Sequence, residues 1–118
     1  PVALIVRVSN SDDFFKAITV LEGCLVATVQ ADSSVDQALV RTLMAPLSEI
    51  AGRIVINGWP TGLAVAPAQN HGGPYPAGTS PIHTSVGLHS TARFMRPVVI
   101  QNADDEQWPK LGDTLSAR

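Results

Sequence analysis

The pattern of hydrophobic and polar positions divides the chain into a regular first half and an irregular second half. Val2 to Val8 is apolar at every position but Arg7 and rich in β-branched residues, which predicts a strand buried on both faces. Asn10-Ser11-Asp12-Asp13 then reads as a helix start. Asn10 or Ser11 caps it and two carboxylates sit in the first turn. Phe14, Ile18 and Leu21 recur at helical spacing with Phe15 beside them, and Gly23 is placed to end that helix in the left-handed conformation. Leu25 to Ala31 is a second apolar strand. Ser33-Ser34 is placed to cap a longer helix from about Val35 to Ala51, with Val35, Leu39, Leu43, Leu47 and Ile50 on its apolar face and Gly52 as its stop. Pro46 falls inside that helix and predicts a kink or break, because its ring removes one hydrogen bond and crowds the preceding turn. Arg53 to Asn57 is the third strand.

Strand, helix, strand, helix, strand with apolar strands is the pattern of crossovers that build a parallel sheet, so the first half is read as an α/β, βαβαβ segment. The second half differs in kind. From Arg53 to Gly78 a strand opens into a long loop too dense in Gly and Pro for a helix. Its aromatic and aliphatic content suits a loop folded over a pocket or a partner surface better than a solvated linker. Ser85 to Met95 can form one short helix, weakened by Gly87 and ended by Pro97. Val98 to Gln101 is a last short strand, and Asp104 to Arg118 is a polar tail expected to be partly mobile. A terminal strand beyond a long loop has no obvious neighbour, which suggests that Pro97, Val98, Val99, Ile100 and Gln101 pair across a subunit boundary.

Composition narrows the function. The 118 residues suffice for one domain, and the charged fraction of 15% is low, which suggests that some surface is covered. Net charge is −2, and the 8 Lys and Arg are not clustered, which argues against a nucleic-acid partner. No apolar run is long enough to span a bilayer, and the first eight residues are too short for a signal peptide. The single cysteine, Cys24, excludes an internal disulfide and fits a reducing, cytoplasmic setting. It has no neighbouring base or cation to activate it and reads as packing.

Asn57-Gly-Trp-Pro-Thr-Gly62 follows a strand end, where open α/β folds hold ligands, although the same residues also serve as a plain turn. In His71-Gly-Gly-Pro-Tyr-Pro76 two glycines let the backbone approach something closely, with His71 and Tyr75 as polar handles. The stretch lacks the Lys-Ser/Thr ending of a phosphate loop. No carboxylate is placed to orient His71, so a hydrogen-bonded loop histidine is the plainer reading than a general base. The separations of His71, His83 and His89 match no familiar zinc spacing. Arg93 and Arg96 flank the last turn of the short helix and read as a solvated or interface pair.

Taken together, three stretches carry a resemblance: Ala51 to Gly62, His71 to Ala77, and Thr84-Ser-Val-Gly87 leading through Arg93-Phe94 to Arg96-Pro97-Val98. In order and spacing the chain up to about Asn102 resembles the C-terminal part of an NAD(P)-dependent aldehyde dehydrogenase. The likeness is to the branch of α-ketoglutarate semialdehyde (dioxovalerate) dehydrogenases and NADP-dependent fatty aldehyde dehydrogenases. The resemblance implies that residues 1–57 close the catalytic α/β domain, 58–87 form a substrate-mouth loop, and 88–118 hold the short helix, an oligomerisation strand and the tail. It makes Trp59, Pro60, Thr61, His71 and Tyr75 substrate-pocket candidates, and Pro97 to Gln101 the strand that joins a neighbouring subunit. It also implies NAD or NADP as cofactor of the full-length parent, with none bound by this stretch alone. The family's catalytic cysteine and general-base glutamate have no counterpart here, so the chain by itself is expected to be inactive, with self-association or the rest of the parent enzyme as its partner. Ala64 and Pro67 stand where the branch would have Glu and His, and the stretch from Gly78 to His83 lacks an expected Asp and Arg, leaving the choice of aldehyde open.

Two other readings stand beside this one. Low charge and an exposed strand also suit an autonomous dimerisation or binding module. An N-terminal proline before a βαβ unit resembles the tautomerases, in which such an amine acts as base, but that small fold has no place for the long loop.

Overall fold

The computed structural model describes residues 1–32, 34–104, 106 and 107. It is an α/β unit built on two parallel strands: α1 (Ser11–Thr19), β1 (Ala27–Val29), α2 (Gln37–Ile50), β2 (Ile54–Ile56) and a 3-10 turn, η1 (Leu88–Phe94). Ala27, Thr28 and Val29 pair in parallel with Ile54, Val55 and Ile56, and an isolated bridge between Cys24 and Ala51 extends the ladder backwards. The Cys24 amide donates to the Ile50 carbonyl at 2.7 Å and the Asn57 amide to the Val29 carbonyl at 2.9 Å, so the ladder is tied at both ends. Parallel neighbours need a crossover, and α2 is that crossover.

The helices form where the sequence places them, with different ends. Asn10 caps α1: its Oδ1 accepts from the Asp13 amide at 2.9 Å, and its Nδ2 donates to the Asp13 carboxylate. The helix ends at Thr19, short of Gly23. Val20 and Leu21 are exposed, so the helix stops where its buried face runs out. Gly23 is not in the left-handed region; it lies so close to the Pro74 and Tyr75 carbonyls that a Cβ would collide with them.

At the start of α2 the expected Ser33-Ser34 cap gives way to aspartates, Ser33 itself lying outside the described residues. Asp36 stands at the cap position, and its amide donates to the Asp32 carbonyl at 2.9 Å. The Asp32 carboxylate accepts from the Ser34 hydroxyl at 2.6 Å and the Ser34 amide at 2.8 Å. Those two bonds, the hydroxyl's first, hold its carboxyl below the usual carboxylate range. Val35 is exposed rather than on the buried face, and α2 runs unbroken through Pro46 to Ile50.

The core is small. Ile18 of α1 meets Leu43 and Leu47 of α2, with Phe14, Phe15, Ala27, Val29 and Ile54 around them, so both helices lie over the same strands. Leu43, 2% exposed, is its centre. Removing such a side chain from water contributes about 1.5–3 kcal/mol.

Two expected strands do not form. Val2 to Val8 forms no strand and is unpaired and exposed, Val2 fully so. The reason is pairing: a strand is stabilised by a neighbour's backbone and by covered faces, and here the sheet ends at β1. Val98 to Gln101 is likewise unpaired and exposed. The βαβαβ segment is therefore realised as αβαβ, with its first strand uncovered. The short helix is realised only as η1, after Gly87 at φ +87°, so it is shorter than the expected span of Ser85 to Met95. Of the tail, Asp105 and residues 108–118 lie outside the described residues. The radius of gyration, 20.7 Å, exceeds the roughly 13–14 Å of a compact chain of this length, in keeping with the two uncovered segments.

Candidate functional site

The site is assembled beyond β2, beginning with Asn57. Its φ of +50° is a left-handed conformation that asparagine tolerates better than most residues. Its Oδ1 accepts from the Ala31 amide at 2.8 Å, and the Gln30 Nε2 donates to the Gly58 carbonyl at 2.9 Å. The loop is thus fastened to the residues that follow β1. Arg53 then folds it back, its guanidinium donating to the Thr61 carbonyl at 3.1 Å.

The far end of the loop is held by polar bonds and by bare backbone contact. Asn70 Nδ2 donates to the Gly52 carbonyl at 3.1 Å. Thr84, the one buried polar residue among those described, accepts from the His71 amide at 2.8 Å and donates to the Val86 carbonyl at 2.7 Å. The His71 carbonyl in turn accepts from the Ser85 amide and hydroxyl, both at 2.9 Å. The backbone of His71 is therefore fixed on both sides. A Cβ on Gly52 would fall on the Gly72 carbonyl, so the bare backbone of Gly52 is what lets the loop seat just beyond the end of α2.

Between these anchors lies a cleft of about 570 Å³. Pro60, Thr61 and His71 line it together with Leu25, Leu63 and Val86, so its walls are mainly aliphatic with a few polar groups. That composition suits an apolar chain held by a small number of hydrogen bonds. Trp59 is not in it; the residue is 81% exposed and borders a groove along β2 with Ile54 and Ile56. Tyr75 is also exposed and lines neither opening. The structure thus gathers three of the five residues picked from the sequence and sets two apart.

Arg53 and Thr84 are the residues that sequence reasoning missed. Arg53 could have been noticed as the one charge beside an otherwise uncharged loop. Thr84 opens one of the stretches that carry the resemblance, but nothing in the sequence marks it as buried, because its role lies in a partner distant in the chain.

Cys24 is half-buried, and its thiol donates to the Val26 carbonyl at 3.6 Å, which is a packing role. Among the described residues no three His, Cys, Asp or Glu converge closely enough to hold a metal ion. Pro1 is exposed. Among the described residues no helix is long and apolar enough to cross a membrane.

No family model matches the chain. Among curated proteins it is similar to alpha-ketoglutaric semialdehyde dehydrogenase 2 of Azospirillum brasilense, with 44% identity over 110 residues, covering 93% of this chain and 21% of that protein. It is also similar to alpha-ketoglutaric semialdehyde dehydrogenase of Acinetobacter baylyi, with 38% identity over 109 residues, covering 92% of this chain and 20% of that protein. The chain spans about a fifth of the length of these relatives. Its homologues are thus aldehyde dehydrogenases of the α-ketoglutaric semialdehyde branch, and the match is to a C-terminal part of that branch.

Proposed function

From that kinship we propose that the chain works as the C-terminal part of an aldehyde dehydrogenase that oxidises a semialdehyde or a fatty aldehyde to a carboxylate with NAD or NADP. Identity of 44% across nearly the whole chain is the observation that carries this reading. The cleft supports it: an aldehyde with an aliphatic body fits walls of Leu25, Leu63 and Val86, with Pro60, Thr61 and His71 shaping the mouth. Trp59 and Tyr75, exposed here, are surfaces for the remainder of that mouth or for a neighbouring subunit.

The chain's own part is to bind and orient. His71 is fixed through its backbone, so its imidazole is presented to the cleft at little cost in order. The aliphatic wall excludes water from the bound chain, which strengthens any polar contact made there. We place the cofactor outside these residues. The turn between β1 and α2 carries Asp32 and Asp36 rather than glycines, and a phosphate at that helix start would meet two carboxylates. Bound elsewhere in the parent, NAD or NADP would supply the capacity to take up hydride. No residue of this chain is assigned to that step.

The uncovered apolar segments fit the same reading. Val2 to Val8 has the composition of an inner strand of a larger parallel sheet, and Pro97 to Gln101 is free to pair with a neighbouring subunit. The test is to purify the protein that carries this chain and follow cofactor reduction with semialdehydes and long-chain aldehydes, using NAD and NADP in turn. Aldehyde-dependent reduction by the whole protein, and none by the 118 residues alone, is the expected result. No reduction with either cofactor, or full activity from the 118 residues, overturns the proposal.

A further inference from the structure

A second cleft, of about 460 Å³, adjoins the aliphatic one, and His71 and Leu25 line both. His71 therefore stands in the wall that the two clefts share, and whatever fixes His71 fixes that wall. Thr84, 13 positions along the chain, is the residue placed to do so. It is 6% exposed, and its hydroxyl is engaged on both sides, accepting from the His71 amide and donating to the Val86 carbonyl. Its own carbonyl accepts from Nη2 of Arg93 at 3.1 Å, which braces Thr84 against η1. The loop can come this close because Gly72 is bare: a Cβ there would stand 2.9 Å from the His83 carbonyl, nearer than real side chains approach. Ser85 completes the clamp by donating to the His71 carbonyl.

We propose that Thr84 is a positioning residue for aldehyde binding that acts through His71: its hydroxyl sets where the wall between the two clefts stands, and so the shape of the space that receives the substrate. The proposal rests on the dehydrogenase reading and adds to it a residue that itself lines neither cleft. Threonine suits the task because it is small enough to be buried beneath a loop and still offers an acceptor and a donor at one atom. Valine has the same outline without either function, so it would leave an amide and a carbonyl unpaired and release His71. The position of a wall bears on binding rather than on chemistry, since no residue of this chain is assigned to hydride transfer. The effect of losing Thr84 therefore falls on KM.

The test uses the whole protein that carries this chain, with succinic semialdehyde and decanal as the aldehydes. For whichever of them it oxidises, Thr84→Val is expected to raise KM by about twofold to tenfold, the range of one hydrogen bond, with kcat nearly unchanged. Thr84→Ser keeps the hydroxyl and should bring KM back to within about twofold of its original value. His71→Ala should raise KM as well, and adding Thr84→Val to it should raise KM no further, because a residue that acts through His71 then has nothing to act on. A further rise by the same factor would mean that Thr84 shapes the cleft by another route. A loss of thermal stability with KM unchanged would mean that it only holds the fold. Either result overturns the proposal and leaves the dehydrogenase reading intact, as does a His71→Ala variant with unaltered KM. Should Thr84→Val fail to fold, Ser85→Ala carries the same cycle, since it takes one exposed donor from the His71 carbonyl. A rise in KM of about twofold that vanishes in the His71→Ala background is then expected, and its absence overturns the proposal. If the unaltered protein oxidises neither aldehyde, the dehydrogenase reading falls and the proposal with it.

Discussion

Asn57 shows how one residue places a functional loop. It leaves β2 in a left-handed conformation and spends its side chain on the Ala31 amide, so strand end and loop start are fixed together. Asn57→Ala removes the acceptor and puts a residue with no compensating polar group in that conformation, at a cost of about 1–2 kcal/mol for the backbone alone. The Ala31 amide should then lose protection in hydrogen exchange, while Asn57→Gly, which relieves the backbone, should lose less stability. Unchanged protection at Ala31 in Asn57→Ala would remove Asn57 from this role. Thr84 is the complementary case. A threonine in a polar stretch gives no hint in the sequence of being buried, because its two partners, the His71 amide and the Val86 carbonyl, are brought to it only by the folded loop. Residues whose role is decided by distant partners were the ones not legible from the chain alone.

At the scale of elements, the signals that held were local ones. The periodic apolar positions of α1 and α2 depend on a single turn geometry, so Ile18, Leu43 and Leu47 could each be placed on its helix's apolar face before any neighbour was known, and the fold brings those faces into one core. Leu43→Ala should therefore cost about 2–5 kcal/mol, read as a lowered denaturant midpoint of the helical signal in the protein that carries this chain. A loss under about 1 kcal/mol would show that the site collapses freely and is no true core. Strands behaved differently. Ala27–Val29 and Ile54–Ile56 formed because α2 brings them together, whereas Val2 to Val8, the most strand-like stretch by composition, has nothing to pair with. A strand's existence is a property of its neighbours, and composition records only its suitability. The glycines followed the same logic: Gly23 and Gly52 were read as helix stops, yet both serve as bare surfaces against which the loop from Gly72 to Tyr75 sits.

At the scale of the whole molecule, Pro60, Thr61 and His71 meet at one cleft although His71 lies far along the loop, because Arg53 and Thr84 fold the two ends of the loop back together. Trp59 and Tyr75 are exposed and do not line the cleft, a placement that sequence spacing does not encode. The outer segment from Pro97 to Gln101 carries a further expectation. If it adds a strand to a neighbouring subunit, as we propose, its amides must donate across the boundary, and Val99→Pro deletes one of them. Light scattering of the whole protein should then show a smaller assembly than the unaltered one, and an unchanged mass would argue against pairing there.

The uncovered run from Val2 to Val6 has one more consequence. It joins high strand propensity, no charge and no proline in a stretch long enough to stack with copies of itself, the composition of a fibril-forming segment. Arg7 stands at its edge as the single charge opposing such stacking, in the position of a gatekeeper. Residues suited to the inside of a sheet become, when left outside, a template for aggregation. How the chain behaves at high concentration is then set less by its small core than by whatever covers these few valines, the leucine and the isoleucine.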